Sequence, residues 1–97
     1  SVLSQNCNCL KEFNNLVIKI ENDYAGFQDK VNANSIDEYK QHTNLYREKS
    51  KATTTFNKCT ILLEEWLNFF NDKHLALEIE SNIYFTYQKI DSNAILL

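Results

Sequence analysis

The sequence predicts a mainly α protein, a three-helix bundle followed by a C-terminal β-hairpin. Apolar residues recur every three or four positions in segments between Leu10 and Phe70, and after His74 their period changes to two. The 97 residues, 43% of them apolar and 24% charged, suit one small domain and exclude a two-domain enzyme. We expect a helical bundle over residues 1–74. Residues 75–97 form a hairpin and tail, the start of a sheet completed elsewhere.

The first helix is predicted over residues 9–26. Its apolar positions share one face, with charged and amide side chains between them. The lone glycine, Gly26, stands where a helix end often needs a residue with positive φ, so it is interpreted as a stop signal. The Asn-rich stretch that follows, 29–34, is typical of a loop. The apolar positions of this helix are Leu10, Phe13, Leu16, Val17, Ile20, Tyr24 and Phe27.

The second helix is predicted over residues 35–51. Ser35 and Glu38 match the capping box, in which a hydroxyl and a carboxylate satisfy backbone donors at a helix start. The apolar face is thin, so we expect this helix to lie along one side of the bundle with much of its surface in water. Its apolar positions are Ile36, Tyr39, Leu45 or Tyr46, and Ala52.

The third helix, predicted over residues 54–71, has the strongest pattern and should form the core. The Thr53–Thr55 run, β-branched and rich in capping hydroxyls, marks the break before it. Trp66 needs a partner for its indole N–H when buried. Strands are predicted from about 75 to 80 and 83 to 89, joined through Ser81 and Asn82. The helix stripe consists of Phe56, Cys59, Leu62, Leu63, Trp66, Phe69 and Phe70.

Charge and motifs exclude several function classes. The isoelectric point is near 5.3 and the basic residues are scattered among acidic ones, so no basic face is available for nucleic acid. The longest uncharged apolar stretches, 61–63 and 66–70, are far shorter than the roughly 20 residues of a membrane span. There is no GxGxxG, P-loop or paired metal-ligand motif. We therefore expect no cofactor and no enzyme activity for this chain.

The first five residues and the cysteine content suggest export. Residues 1–5 look like the end of an apolar signal segment with a small-residue cleavage site. Three cysteines fit an exported domain with one disulfide and one thiol, or a cytosolic domain with three thiols. The sequence has no N-x-Ser/Thr sequon, which favours a bacterial periplasm or cell surface over a eukaryotic secretory route.

The cysteines allow several interpretations. Cys9 directly precedes the first apolar position and Cys59 lies on the third stripe, so a disulfide between them is preferred, with Cys7 to Cys59 the close alternative. Closing a loop of about 50 residues stabilises a small domain by about 4 kcal/mol in the entropy model. A zinc site with His42 and His74 is disfavoured, because C-x-C is not a zinc-knuckle spacing. A Cys/His nucleophilic pair is disfavoured too, because nothing nearby lowers a thiol pKa.

Carboxylates and the polar cluster before the first strand are the remaining candidates for chemistry. Glu64 and Glu65 diverge on a helix, and Glu78 and Glu80 lie on one polar face of a strand, so a solvated face is the default for both pairs. His74 lies between the third helix and the first strand. We interpret it as a histidine that stabilises this junction through the backbone, in preference to a catalytic one.

Two short elements bracket the helical part and resemble a known family. Tyr24–Phe27 ends the first helix, and Asp72–His74 ends the third and leads into a strand. They are similar to the "Tyr-x-Gly-Phe" and "Asp-Gly-His" elements in the helical N-terminal domain of tail-specific, C-terminal-processing-like serine peptidases of Gram-negative bacteria. Lys73 stands where that family usually has Gly. The matching positions are Tyr24, Gly26, Phe27, Asp72 and His74.

The resemblance extends from about Cys9 to Ile79 and implies a non-catalytic helical domain of an exported serine-peptidase-like protein. Such a domain would pack against or gate the downstream protease core. The family's Ser/Lys catalytic residues and PDZ-like module lie downstream, and nothing in this chain corresponds to them. The alternative is a free-standing secreted module that binds a protein through the exposed side of the second helix. An unpaired strand edge also predicts a homodimer through the C-terminal hairpin.

Overall fold

The computed structural model describes residues 7–80 and 84–89 and is mainly helical. Within these residues, no helix is long and apolar enough to cross a membrane. Three long helices carry the fold, and two single turns follow the first and the last of them. The elements are α1 (Cys9–Asp23), α2 (Phe27–Lys30), α3 (Ile36–Lys51), α4 (Phe56–Leu67), a 3₁₀ turn (Asn68–Phe70), β1 (Leu75–Glu80) and β2 (Tyr84–Lys89).

Helix α1 begins at a side-chain cap and ends earlier than the sequence predicts. The Asn8 side chain accepts the N–H of Lys11 at 3.1 Å, which satisfies one of the free donors of the first turn. The predicted end at residue 26 is wrong, because Tyr24 is extended (φ −78°, ψ 112°) and stops the helix at Asp23. The chain then forms α2 as a separate turn. The predicted apolar face is largely correct, with Phe13, Leu16, Val17, Ile20 and Tyr24 buried.

The capping box predicted for α3 does not form. Ser35 occupies the N-cap position, but its hydroxyl makes no bond to the helix. It donates instead to the carbonyl of Lys30 at 2.7 Å and accepts the N–H of Asn32 at 3.0 Å. The hydroxyl therefore closes the loop between α2 and α3, and this competing local hydrogen bond explains why the box is absent.

Helix α3 lies along one side of the bundle and buries a more polar face than the sequence suggests. Tyr39, Thr43 and Ser50 are buried, whereas Leu45 is 52% exposed. The Ser50 hydroxyl donates to the carbonyl of Arg47 at 2.6 Å, which satisfies it inside the fold.

Helix α4 forms the core of the protein, as its apolar stripe predicts. It begins at Phe56, after Thr55 accepts the N–H of Lys58 at 3.4 Å. Trp66 is fully buried, and its indole N–H donates to the hydroxyl of Thr43 at 3.1 Å. The need for a partner predicted for this indole is therefore confirmed. The buried apolar residues of the whole core are Cys9, Phe13, Leu16, Val17, Ile20, Tyr24, Val31, Tyr39, Phe56, Cys59, Leu62, Leu63, Trp66, Leu67 and Phe70.

Two antiparallel strands follow the helices. Leu75 pairs with Lys89 at one end and Glu80 with Tyr84 at the other. β1 contacts α4 and β2 contacts α1, so the pair lies against the helical layer. Residues 81–83, which hold the predicted turn through Ser81 and Asn82, and the tail after residue 89 lie outside the described residues. The hairpin and the division of the chain at residue 74 accordingly stay predictions.

Candidate functional site

The two turn elements singled out in the sequence meet in the structure. The Tyr24 hydroxyl donates to Oδ2 of Asp72 at 2.6 Å, across 48 residues of sequence. The Tyr24 ring is buried and meets the ring of Phe70 edge-on, with centroids 5.4 Å apart. Both contacts depend on the extended backbone of Tyr24, which turns the chain at the end of α1. We call this contact, with its flanking residues Gly26 and His74, the junction site.

Gly26 is needed at the junction for space and not for its backbone freedom. Its φ is −84°, so the positive φ expected from the sequence is wrong. A Cβ at this position would lie 2.7 Å from Oη and 2.8 Å from Cζ of Tyr24. The Tyr24 side chain therefore folds back over Gly26, and a side chain there would displace the ring from Phe70 and the hydroxyl from Asp72.

The second element is a turn closed by Asp72. Asn71 adopts the left-handed conformation (φ 47°) that ends the 3₁₀ turn, a role for which asparagine is among the few suitable residues. Oδ1 of Asp72 accepts the backbone N–H of His74 at 2.8 Å, and its carbonyl accepts the N–H of Leu75 at 3.1 Å. Asn71 is the one described non-glycine residue with positive φ, so Lys73 needs no glycine-like conformation. The turn therefore accommodates lysine at position 73.

His74 contributes to this turn through its backbone and also faces the same carboxylate. Its ring Nδ1 lies 3.3 Å from Oδ1 of Asp72, and its side chain is 40% exposed. The junction role predicted for His74 through the backbone agrees with its N–H bond to Asp72. The ring adds an ion pair when the imidazole is protonated.

Phe27 links the junction to the centre of the bundle. Its half-buried ring meets Tyr39 edge-on at 5.3 Å and lies 6.1 Å from Phe70. The hydroxyl of Tyr39 in turn donates to Glu21 of α1 at 2.7 Å. Edge-on aromatic pairs stabilise by about 0.5–1.5 kcal/mol beyond the area they bury. Phe27 therefore connects the end of α1 with α3 and with the segment after α4.

The surroundings of Tyr24 and Asp72 shift the pKa of each group in the direction that preserves the hydrogen bond between them. Burial, and then the bond to Asp72, raise the pKa of Tyr24 far above its usual value, so the phenol stays neutral. The hydrogen bond from Tyr24 and that from the His74 backbone lower the pKa of Asp72. Asp72 is therefore an ionised acceptor and Tyr24 a neutral donor through the physiological range.

The junction has the chemistry of a tether. A phenol whose pKa is raised is a poor base and a poor nucleophile near neutral pH. Both carboxylate oxygens of Asp72 already accept hydrogen bonds, which leaves little basicity for proton transfer. What the arrangement does is hold the end of α1 at the start of β1.

The cysteines lie near the opposite end of α1. The sulfur atoms of Cys9 and Cys59 are at disulfide distance, with Cα atoms 5.7 Å apart and both residues fully buried. This is the pairing preferred from the sequence, and Cys7 remains a free thiol. Burial, with the nearby charge of Glu12, raises the pKa of Cys7. A raised pKa makes Cys7 a weak nucleophile at neutral pH.

Other candidates from the sequence are not brought together. The ring of His42 stacks on Phe69 at 5.2 Å, and its Nε2 lies 3.2 Å from the carbonyl oxygen of Trp66. Cys7 lies elsewhere, in the lining of a cavity of about 560 Å³ with Asn8, Ser50 and Thr54. In the described part of the chain, no three His, Cys, Asp or Glu residues are grouped to hold a metal ion. Glu64 and Glu65 are both exposed.

Sequence reasoning missed three residues that the site and core depend on. Asn71 supplies the left-handed turn, Thr43 the acceptor for Trp66, and Glu21 the acceptor for Tyr39. An asparagine at the end of a helical stripe is the one signal that indicates such a turn. The other two are cross-helix contacts without a local sequence signal.

Comparison with protein-family models, curated proteins and solved structures gives no match to this chain. The resemblance of the two turn elements therefore depends on the residues themselves and on their meeting at the junction site.

Proposed function

We propose that this chain is a non-catalytic helical domain of an exported, bacterial serine-peptidase-like protein, and that it packs against or gates the protease core. The observation that carries the proposal is the bond from Tyr24 to Asp72. It joins the two elements that resemble the family, which lie 48 residues apart in sequence. This contact supports treating the two elements as parts of one structural unit.

The position of the junction suits a domain that passes a helix movement to a sheet. Asp72 accepts the N–H groups of His74, just before β1, and of Leu75, its first residue. The Tyr24 hydroxyl, just after α1, donates to the carboxylate of Asp72. A shift of α1 is therefore transmitted to β1. In the proposed parent protein, β1 and β2 form a hairpin that begins a larger sheet, through which the helical layer contacts the core.

Export to the periplasm or cell surface is part of the proposal. The Cys9 and Cys59 sulfurs are placed at disulfide distance inside the core, and disulfides persist in oxidising compartments. A small helical domain gains much of its stability from such a link. Its partner is then a protein in the same compartment, the downstream protease core or another chain.

Reading the gene downstream of these 97 residues tests the proposal. We expect several hundred further residues that include a PDZ-like module and a Ser/Lys catalytic pair. In that parent protein, Tyr24→Phe should change the rate of peptide cleavage without altering the catalytic residues. Tyr46→Phe, which removes a hydroxyl from half-buried Tyr46 of α3, should leave that rate unchanged. A gene that ends here, or a parent whose cleavage ignores Tyr24→Phe, would contradict the proposal.

A second measurement concerns the chain alone. We expect no cleavage of unstructured peptides by the purified domain, because the hydroxyl, imidazole and carboxylate at the junction site form a tether. Turnover that a serine-directed reagent abolishes would refute this.

The alternative is a free-standing secreted module that binds a protein through α3. The observation that favours it is Leu45, which is 52% exposed on the outer side of that helix. Leu45→Lys would then abolish partner binding and leave the helical signal unchanged. The same substitution should leave a gating domain unaffected, so it separates the two functions.

A further inference from the structure

A groove runs along β1 on the side of helix α4. Two adjoining cavities of about 290 and 220 Å³ share Leu67, Asn68 and Leu75. The smaller cavity is lined by Leu75, Ala76 and Leu77 in succession. Because successive side chains of a strand point to opposite faces, a cavity that meets all three lies along the strand's edge. β1 pairs with β2 alone among the described residues, so the edge beside this groove is unpaired.

An unpaired edge presents backbone N–H and C=O groups that another strand can satisfy. The described side chains of β1 also provide apolar surface that a neighbouring strand can contact. Leu75 and Leu77 are partly buried and pack against the core, which leaves part of their apolar surface open at the groove. The groove therefore offers backbone hydrogen bonds together with apolar contact.

The surroundings of this edge are acidic. Glu64 lines the smaller cavity and has no ion-pair partner among the described residues. The larger cavity is lined by ionised Asp72 and by Lys73, and Lys30 also lies close enough to Asp72 to stabilise its charge. Glu78 and Glu80 occupy alternate positions of β1. In the register of the sheet these two positions pair with Thr86 and Tyr84.

A second copy of β1 fits this edge poorly. Antiparallel self-pairing over the full strand sets Leu75 opposite Glu80 and Leu77 opposite Glu78, so apolar and acidic residues share a face. A slip of one residue restores the alternation, but it shortens the pairing and brings the glutamate positions of both copies onto one face. Like charges placed together across strands are destabilising.

We infer that the free edge of β1 and its groove accept an extended segment of a partner protein, by strand addition, in which apolar residues alternate with lysine or arginine. The apolar residues continue the face of Leu75 and Leu77, and the cations stand on the opposite face, beside positions 78 and 80. Glu64, which lines the groove, adds negative charge near the same edge. The inference deepens the proposed function, because it names the chemistry of the strand that the core contributes. The inference rests on the proposed function only for the identity of the partner, which would be the protease core.

The inference is tested by measuring, with fluorescence anisotropy, how tightly labelled peptides bind the intact 97-residue chain. The probes are labelled acetyl-(Val-Lys)₄-amide, the same peptide with Glu for Lys, and a block peptide, acetyl-Lys₄-Val₄-amide. The alternating basic peptide should bind about tenfold more tightly than either of the others. Equal affinity for the block peptide would show general attraction to an acidic protein and would overturn the inference.

Backbone methylation identifies strand addition directly. Two versions of the basic peptide carry N-methyl groups, one on every valine and one on every lysine. Alternate N–H groups of a strand point to opposite edges, so one version should lose at least about tenfold in affinity and the other should bind nearly as well as the parent peptide. Equal loss in both versions, or in neither, contradicts edge pairing.

A pair of charge reversals locates the site. Glu64→Lys changes an exposed side chain that lines the groove, and Glu48→Lys makes the same change at an exposed position of α3. The first should weaken the basic peptide by about threefold or more, and the second by less than about 1.5-fold. Equal effects would overturn the assignment. If the peptides fail to bind, the inference is wrong, but the proposed function is still tested separately by the sequence downstream of these 97 residues.

Discussion

Asp72 satisfies three groups with one carboxylate. Oδ2 accepts the Tyr24 hydroxyl, and Oδ1 accepts the N–H of His74 and lies beside the imidazole. Hydrogen bonds to a charged acceptor contribute more than neutral ones, about 1.5–3 kcal/mol each. Because neutral Tyr24 and ionised Asp72 stabilise each other's protonation state, the pair acts as one unit.

Tyr24→Phe removes the hydroxyl and keeps the ring against Phe70. We expect the free energy of unfolding to fall by about 1.5 kcal/mol, because a partly buried charged acceptor loses one donor. Urea denaturation measures this. The matched control is Tyr46→Phe, whose hydroxyl lies 3.5 Å from exposed Glu65 and should matter by less than about 0.5 kcal/mol. Equal effects at the two tyrosines would show that the tether contributes nothing particular.

Acid should release the tether. The pKa of Asp72 in the folded protein is below its ordinary value of 3.8, so the unfolded chain takes up the proton first as pH falls. The stabilisation is therefore complete above pH 3.8 and is lost as pH falls through the folded pKa. Asp72→Asn should lower stability at pH 7 and flatten the loss below pH 3.8, as followed by urea midpoints at successive pH values. A variant with the same acid dependence as the parent would contradict this.

Gly26→Ala should destabilise through Tyr24. The new Cβ would lie 2.7 Å from Oη, and the ring cannot move without losing Phe70 and Asp72. We expect a loss of about 1–3 kcal/mol in thermal unfolding. In a Tyr24→Leu background, Gly26→Ala should cost much less, so the double variant should be more stable than the sum of the single effects. If the losses of stability from Gly26→Ala and Tyr24→Leu are additive, the effect of Gly26→Ala arises from the backbone and not from contact with Tyr24.

The sequence predicts an element well where the spacing of apolar residues determines which face is buried. It gives no signal where a contact between polar side chains determines the structure. The predicted stripes of α1 and α4 are largely correct, because burial of large side chains follows the helical period. The capping box at Ser35 failed since its hydroxyl has a nearer carbonyl at Lys30. The two turn elements were identified from sequence, but the bond between Tyr24 and Asp72 joins residues 48 apart and has no local signal.

The link between α1 and α4 gives a prediction for the cysteines. Peptide mapping of oxidised, non-reduced protein should recover Cys9 joined to Cys59, with Cys7 free. Reduction should lower the free energy of unfolding by about 4 kcal/mol in the entropy model. Cys7→Ser should change neither the map nor the stability, because Cys7 is outside the bond. Three free thiols in oxidised protein would remove both the link and the argument for export.

At the scale of the molecule, α1 is fastened at both ends. Near its start, Cys9 lies at disulfide distance from Cys59 of α4, and beyond its last residue Tyr24 bonds Asp72 after α4. The two helices therefore run in the same direction, with Phe13 edge-on to Trp66 at 5.5 Å between the fastenings. β1 begins just after the second fastening, so the strands are attached to a closed helical frame.

The attachment of the strands to the helices leads to a prediction about self-association of the chain. The edge of β1 that is unpaired among the described residues should allow two copies of the 97-residue chain to associate. The dimer should be weak, because the glutamate positions of the two copies meet when the edges pair. Residues 1–74 should be monomeric and keep most of the helical circular dichroism, since the α1 and α4 stripes pack on each other without the strands. The basic alternating peptide should dissociate the dimer, because peptide and second copy compete for one edge. Sedimentation measures the association states, and circular dichroism measures the helical content of residues 1–74. A dimeric 1–74 fragment, or an intact chain that stays monomeric at high concentration, would contradict the prediction.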